Sequence, residues 1–206
     1  MTLRFAPIAA ATALLALPFS SAFAQTAPST DPSKVPAGVY SVEPFHTRVV
    51  FAVNHMGFTT YYGDFTGVSG TLTIDPDKVG ATTLSISIPV DSVSTTNAKL
   101  DGELKGDKWL DATTYPTITF KATKVTRTGD NTADVTGDFT LHGVTQSITL
   151  PVKFNAVGPN VMSQKVTIGF DATAHIKRSD FGVKQYVPLI GDDVSVIISA
   201  AFEKTN

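Results

Sequence analysis

Residues 166–176 read V-T-I-G-F-D-A-T-A-H-I, so Val166, Ile168, Phe170, Ala172, Ala174 and Ile176 share one parity while Thr167, Asp171, Thr173 and His175 fall on the other. A period of two places alternate side chains on opposite faces of a β-strand, one apolar and one polar. The same alternation extends outward from this stretch. Val194, Val196, Ile198, Ala200 and Phe202 follow it to the end of the chain. Ahead of it, Ala133, Val135, Phe139 and Leu141 lead through a tight His142-Gly143 connection into Ile148, Leu150, Val152 and Phe154. Further upstream come Ile118, Phe120 and Ala122, then Leu84, Ile86, Ile88 and Val90, then Leu72 and Ile74, then Val49, Phe51 and Val53. Turn residues such as Thr128-Gly129-Asp130-Asn131 separate the runs, as hairpins require.

About eight such strands, each apolar on one face and Thr-rich on the other, must bury their apolar faces against one another. Parity alone allows a sandwich or a closed barrel. The runs at 144–156 and 166–176 are long for sandwich strands and favour an extended antiparallel barrel with an apolar inner face. Such a lumen is either filled by side chains or occupied by an apolar ligand. One segment breaks the period: Thr96–Leu110 spaces Leu100 and Leu104 four apart behind the capping candidates Thr96 and Asn97. This predicts a short helix at a barrel mouth with both leucines inward and Trp109 just beyond it.

Composition excludes several chemistries. The chain has 206 residues, 16 basic and 18 acidic, and no Cys, so thiol nucleophiles, disulfides, zinc-thiolate sites and iron–sulfur clusters are ruled out. A net charge of −2 gives no basic footprint for nucleic acid. Residues 1–24 read as a cleaved signal peptide: Arg4, a short apolar run from Phe5 to Phe19, and the small-x-small site Ala22-Phe23-Ala24. That expectation makes the mature protein periplasmic with no membrane span. Residues 25–37, rich in Pro, Ser and Thr, are expected to be a flexible leader, and residues 38–206 a single domain.

Four ordered blocks carry a family resemblance: FHTRVVFAVNHMGFTTYYGDFTGVSGTL (45–72), SISIPVDSVSTTNAKLDGELKGDKWLDATTYPTITFKAT (85–123), GDFTLHGVTQSITLPVKF (137–154) and GFDATAHIKRSDFGVKQYVP (169–188). In this order and spacing the chain closely resembles the YceI-like family of exported lipid-binding proteins. The resemblance implies a lipocalin-like barrel whose lumen holds a long polyisoprenoid tail, such as that of a prenyl pyrophosphate or quinone; the sequence offers no clustered acid, base or metal site, so a non-catalytic carrier with no further cofactor is expected. Where many members carry Arg-Asp-x-His-Leu at the helix, this chain has Leu100-Asp101-Gly102-Glu103-Leu104. An anionic head group would then meet Asp101 and Glu103 instead of cations, which favours a neutral quinone, or a fatty acid or amide.

The expected ligand-binding set is Phe51, Val53, His55, Met56, Phe58, Ile86, Ile88, Leu104, Trp109, Phe120, Phe139, Phe154, Phe170 and Arg178. The aromatic members offer large apolar surfaces with few polar demands, which plain core packing would also use. Arg178 shares the inward parity and could clamp a phosphate or carboxylate, or pair at the rim with an acid such as Asp180. His55 could bond a quinone carbonyl or serve as a hydrogen-bonded core residue. His46, His142 and His175 share no metal-ligand spacing, and Asp101 with Glu103, or Asp192 with Asp193, read as solvated loop carboxylates. Alternatives stay open at this point: a side-chain-filled interaction module beside a membrane redox partner, and a two-fold assembly through an uncovered edge or mouth.

Overall fold

In the computed structural model, which describes residues 27–205, the alternation becomes eleven strand segments. These are β1 (Gly38–Val42), β2 (Arg48–His55), β3 (Thr59–Phe65), β4 (Ser69–Ile74), β5 (Thr83–Pro89), β6 (Val93–Ser94), β7 (Thr117–Arg127), β8 (Thr132–Leu141), β9 (Val144–Pro159), β10 (Val166–Lys177) and β11 (Ile190–Lys204). One helix, α1 (Ala98–Lys105), lies between β6 and β7. The signal-peptide reading of 1–24 lies outside the described residues.

All pairings are antiparallel, and they close a ring β1-β4-β5-β7-β8-β9-β10-β11 through the contact of β1 with β11. The expected eight-stranded barrel is therefore present, with three of its staves broken in two. The edge of β11 pairs with β1 near Phe202 and with β2 from Ile190 to Ser199, so β1 and β2 lie end to end along one neighbour. β4 pairs with β1 and β3 with β2; in turn β5 pairs with β4 and β6 with β3. At the break between β1 and β2 the Glu43 carboxylate accepts from the Phe45 and His46 amides, each at 2.9 Å, and from His46 Nδ1 at 2.8 Å. Burial opposes ionisation of Glu43, but these hydrogen bonds outweigh it and hold the carboxyl below its ordinary range.

The 15 residues of β11 span about 50 Å at strand rise, which the tilt of a closed barrel shortens to roughly 35–40 Å of height. Parity survives along most staves and changes where an extra residue enters. A register shift between Ala122 and Lys124 turns Val125 inward, and another, opposite Gly169 and Phe170, turns Val157 inward beside Phe154. Gly137 occupies the gap in the β8 alternation because the Phe120 ring lies flat over it: a Cβ there would stand 2.5 Å from Phe120 Cζ and 2.6 Å from the Lys121 carbonyl. The β8–β9 hairpin turns on His142 and Gly143, both at positive φ, the conformation a two-residue turn matching strand twist demands.

The segment expected as a flexible leader is docked over the part that is described. Ser29 exchanges backbone hydrogen bonds with Val157, Asp31 caps a single 3-10 turn at Pro32–Lys34, and Val35 is buried against Tyr40, whose hydroxyl donates to the Pro36 carbonyl at 2.6 Å. Composition favoured mobility there; two backbone hydrogen bonds and one buried valine override it.

Candidate functional site

The barrel encloses a cavity of about 1110 Å³ that runs from the helix end to the opposite end. Its walls are the inward parity of the staves: Phe51 and Val53 from β2, Ile86 and Ile88 from β5, Phe120 from β7, Phe139 from β8, Phe154 from β9 and Phe170 from β10. Phe154, Phe170 and Phe202 stack edge to face at centroid distances of 5.7 and 6.1 Å, which leaves ring surface facing the lumen without polar demand. The small residues Ala172 and Ala174 on β10 widen the wall opposite them. The lumen is thus open volume, where sequence left a filled core equally allowed.

At one end the cavity is roofed by α1 and the turn after it. Asn97 Oδ1 caps the helix, accepting from the Lys99 and Leu100 amides at 3.2 and 3.3 Å, as the spacing predicts. Leu100, Glu103 and Leu104 all face the cavity, followed by Trp109 and Leu110. Asp101 does not: it accepts from the amide and the hydroxyl of Thr95, both at 2.6 Å, and these bonds keep its carboxyl ionised below its ordinary range. The expectation that a head group would meet Asp101 is corrected, because Asp101 ties the helix to β6.

Arg178 lines the cavity, as its parity predicts, but makes no rim pair with Asp180. It is only 5% exposed, and its guanidinium donates to four backbone carbonyls, those of Val183, Gln185, Ile190 and Gly191, each at 2.9 Å. Its Cζ lies 5.3 Å from the centre of the Trp109 ring. Burial pushes its pKa down, and the nearby Asp192 carboxylate opposes that shift. Asp192 itself accepts from the amide and hydroxyl of Ser179 at 2.8 and 2.7 Å, so the acid and the arginine brace the same corner from two sides. Arg178 lines the cavity while nearly all of its hydrogen-bonding capacity holds the 182–190 loop, so the rim ion pair with Asp180 is replaced by a carbonyl cage.

Thirteen of the fourteen expected residues line this one cavity, including His55, Met56, Ile88, Leu104 and Trp109. Phe58 does not. It is 81% exposed, on the turn between β2 and β3: the strand ends at His55, and Phe58 has the opposite parity to the inward Phe51, Val53 and His55. Missed by the sequence reading were Val125, displaced by its bulge, and Tyr61, Val183, Tyr186 and Leu189. The last three sit on an irregular loop whose residues follow no period, held at the mouth by the carbonyl cage of Arg178 and by the Met56 amide on the Leu189 carbonyl. Among the described residues no group of three or more His, Asp or Glu gathers as a metal ion would need.

The YceI-like domain model matches residues 40–202, nearly the whole barrel. The chain belongs to the YceI-like family. Protein YceI of Shigella flexneri is 36% identical over 154 residues, covering 75% of this chain and 80% of that protein. Among solved structures, BcnA of Burkholderia cenocepacia superposes with a TM-score of 0.68 at 26% identity, over 75% of this chain and 95% of BcnA. A polyisoprenoid binding domain from Saccharophagus degradans shares the fold with a TM-score of 0.64 at 18% identity, over 81% of this chain and 98% of that domain. Leu100 and Glu103 of α1 both lie on its cavity side.

Proposed function

We propose that this YceI-like protein is an exported, non-catalytic carrier that holds the hydrocarbon tail of a long-chain isoprenoid or similar amphiphile along the barrel axis. The observation that carries the reading is the open apolar cavity of about 1110 Å³, at the upper limit of what small-ligand sites occupy. Each methylene taken from water contributes about 0.8 kcal/mol, so ten of them supply about 8 kcal/mol, the free energy of micromolar binding. A tail of that length needs little from its head group. A packed-core interaction module has no use for such a volume.

The charges favour a neutral head such as a quinone or amide over a pyrophosphate. Among the described residues, the guanidinium groups lining the cavity are those of Arg127 and Arg178, and both donate to backbone carbonyls. Glu103 adds a carboxylate at the helix end, where an anion would be repelled. Native mass spectrometry of the protein purified from its exported compartment, followed by organic extraction, tests both statements. A stoichiometric lipid with a long apolar tail and uncharged head is expected. Protein that arrives empty and refuses prenyl and acyl lipids would overturn the carrier reading, and a bound pyrophosphate would overturn the head-group assignment alone.

A further inference from the structure

The two ends of the barrel differ in a way that lipid storage alone does not require. At the helix end, the β2–β3 turn and the 182–190 loop meet side by side, joined by a hydrogen bond from the Met56 amide to the Leu189 carbonyl at 3.0 Å and by the pairing of His55 with Ile190. Met56, Tyr186 and Leu189 line the cavity and are also 49%, 53% and 62% exposed, so the same side chains form the inner wall and the outer rim of the mouth. Phe58 stands beside them, pointing into solvent. Four large apolar side chains on adjacent tips are an unusual exposure for a soluble chain.

These tips are held rather than loose. The Gly57 amide donates to Asn54 Oδ1 at 2.8 Å and the Phe58 amide to the His55 carbonyl at 3.0 Å, while the Arg178 cage fixes the second loop. Their charge also sets them apart. Residues 54–60 carry no Asp, Glu, Lys or Arg, and residues 182–190 carry Lys184 alone. The adjoining stretch 97–108 balances three lysines against three acids. The opposite end exposes Asp31, Asp77, Lys78, Arg127 and Asp130 around its turns. Within a chain of net charge −2, these two tips therefore present four apolar side chains beside one cation and carry no acid of their own, the Glu103 carboxylate of this mouth lying on α1.

We propose that this mouth docks on a lipid bilayer, with Phe58, Met56, Tyr186 and Leu189 inserted at the head-group level and Lys184 facing anionic lipid phosphates. Aromatic and long aliphatic side chains favour that interface, and Lys reaches its charge to the phosphates. The rim is continuous with the lumen, so a tail leaving the bilayer passes from lipid onto Met56, Tyr186 and Leu189 without crossing water. The proposal rests on the carrier reading, since a mouth that receives no lipid needs no bilayer.

Flotation with vesicles of equal parts phosphatidylethanolamine and phosphatidylglycerol tests it, with three proteins compared: the parent, Phe58→Asp and Met162→Asp. Phe58 lies outside the lumen, and Met162, 91% exposed on the turn after β9, is a matched apolar residue at the other end. The parent and Met162→Asp should float with the vesicles, and Phe58→Asp should show about tenfold weaker partitioning. All three should take up the soluble apolar dye N-phenylnaphthylamine equally. A parent that fails to float, or a Phe58→Asp protein that floats like the parent, overturns the docking assignment. Loss of dye uptake in all three refutes the carrier reading and is told apart from a docking failure by the flotation result. A parent that sediments as a dimer, splits on Phe58→Asp and ignores vesicles assigns the rim to a second copy of the chain and overturns the proposal.

Discussion

Replacing Arg178 by Met keeps the length and apolar stem of the side chain and removes every donor. Four carbonyls, at Val183, Gln185, Ile190 and Gly191, then lose a charged partner at 2.9 Å, and the Trp109 ring loses its cation. An orphaned buried carbonyl costs about 1–3 kcal/mol. These lie near the mouth, where water can reach some of them, so the whole change should cost about 3–5 kcal/mol, the range for breaking a buried charge cluster. For a chain of this size that corresponds to a fall in Tm of about 6–20 °C by calorimetry. Arg178→Lys should recover less than half of the loss, because a single ammonium cannot match a planar fork of donors. Binding of anionic and neutral amphiphiles should weaken together, through disorder of the 182–190 loop. A variant within about 1 kcal/mol of the parent would refute the cage, and selective loss of anionic ligands would show that the arginine reads the head group instead.

Gly137→Ala should cost about 1–3 kcal/mol in urea titrations, since the new methyl meets the Phe120 ring and the rigid Lys121 carbonyl; a neutral result would mean the ring does not lie where described. Ala174→Trp should lay an indole across the lumen and abolish long-chain lipid uptake while the folded β spectrum persists; undiminished uptake would place the tail elsewhere. Glu43 has a folded pKa below its ordinary 4.5, so it contributes stability that is full above that value and is lost as pH falls through the folded pKa. Glu43→Gln should therefore flatten the acid limb of a stability-versus-pH curve below about 4.5 and lower stability at neutral pH; an unchanged limb would mean other carboxylates govern acid unfolding.

The alternation of Val166 to Ile176 and its neighbours determined on its own that the chain forms apolar-faced antiparallel strands, and which parity faces inward, because a period of two leaves a side chain no other face to occupy. The Asn97 cap and the Leu100–Leu104 spacing likewise specified α1, since capping and helical periodicity are local. Tertiary structure alone decided the rest. Val125 and Val157 turned inward because bulges insert a residue that no local pattern marks. Phe58 stands in solvent because it falls on the turn after β2, where an aromatic side chain need not face the core, and Asp101 left the lumen because Thr95 supplied two donors. Arg178 met carbonyls five to thirteen positions away, in a loop without periodicity and at the start of β11, a partnership fixed only when β10 and β11 pair and close the corner. Whether the lumen stays open was likewise beyond local pattern, because a void is a property of how eight staves tilt and close around side chains of given volume, and no single residue encodes it.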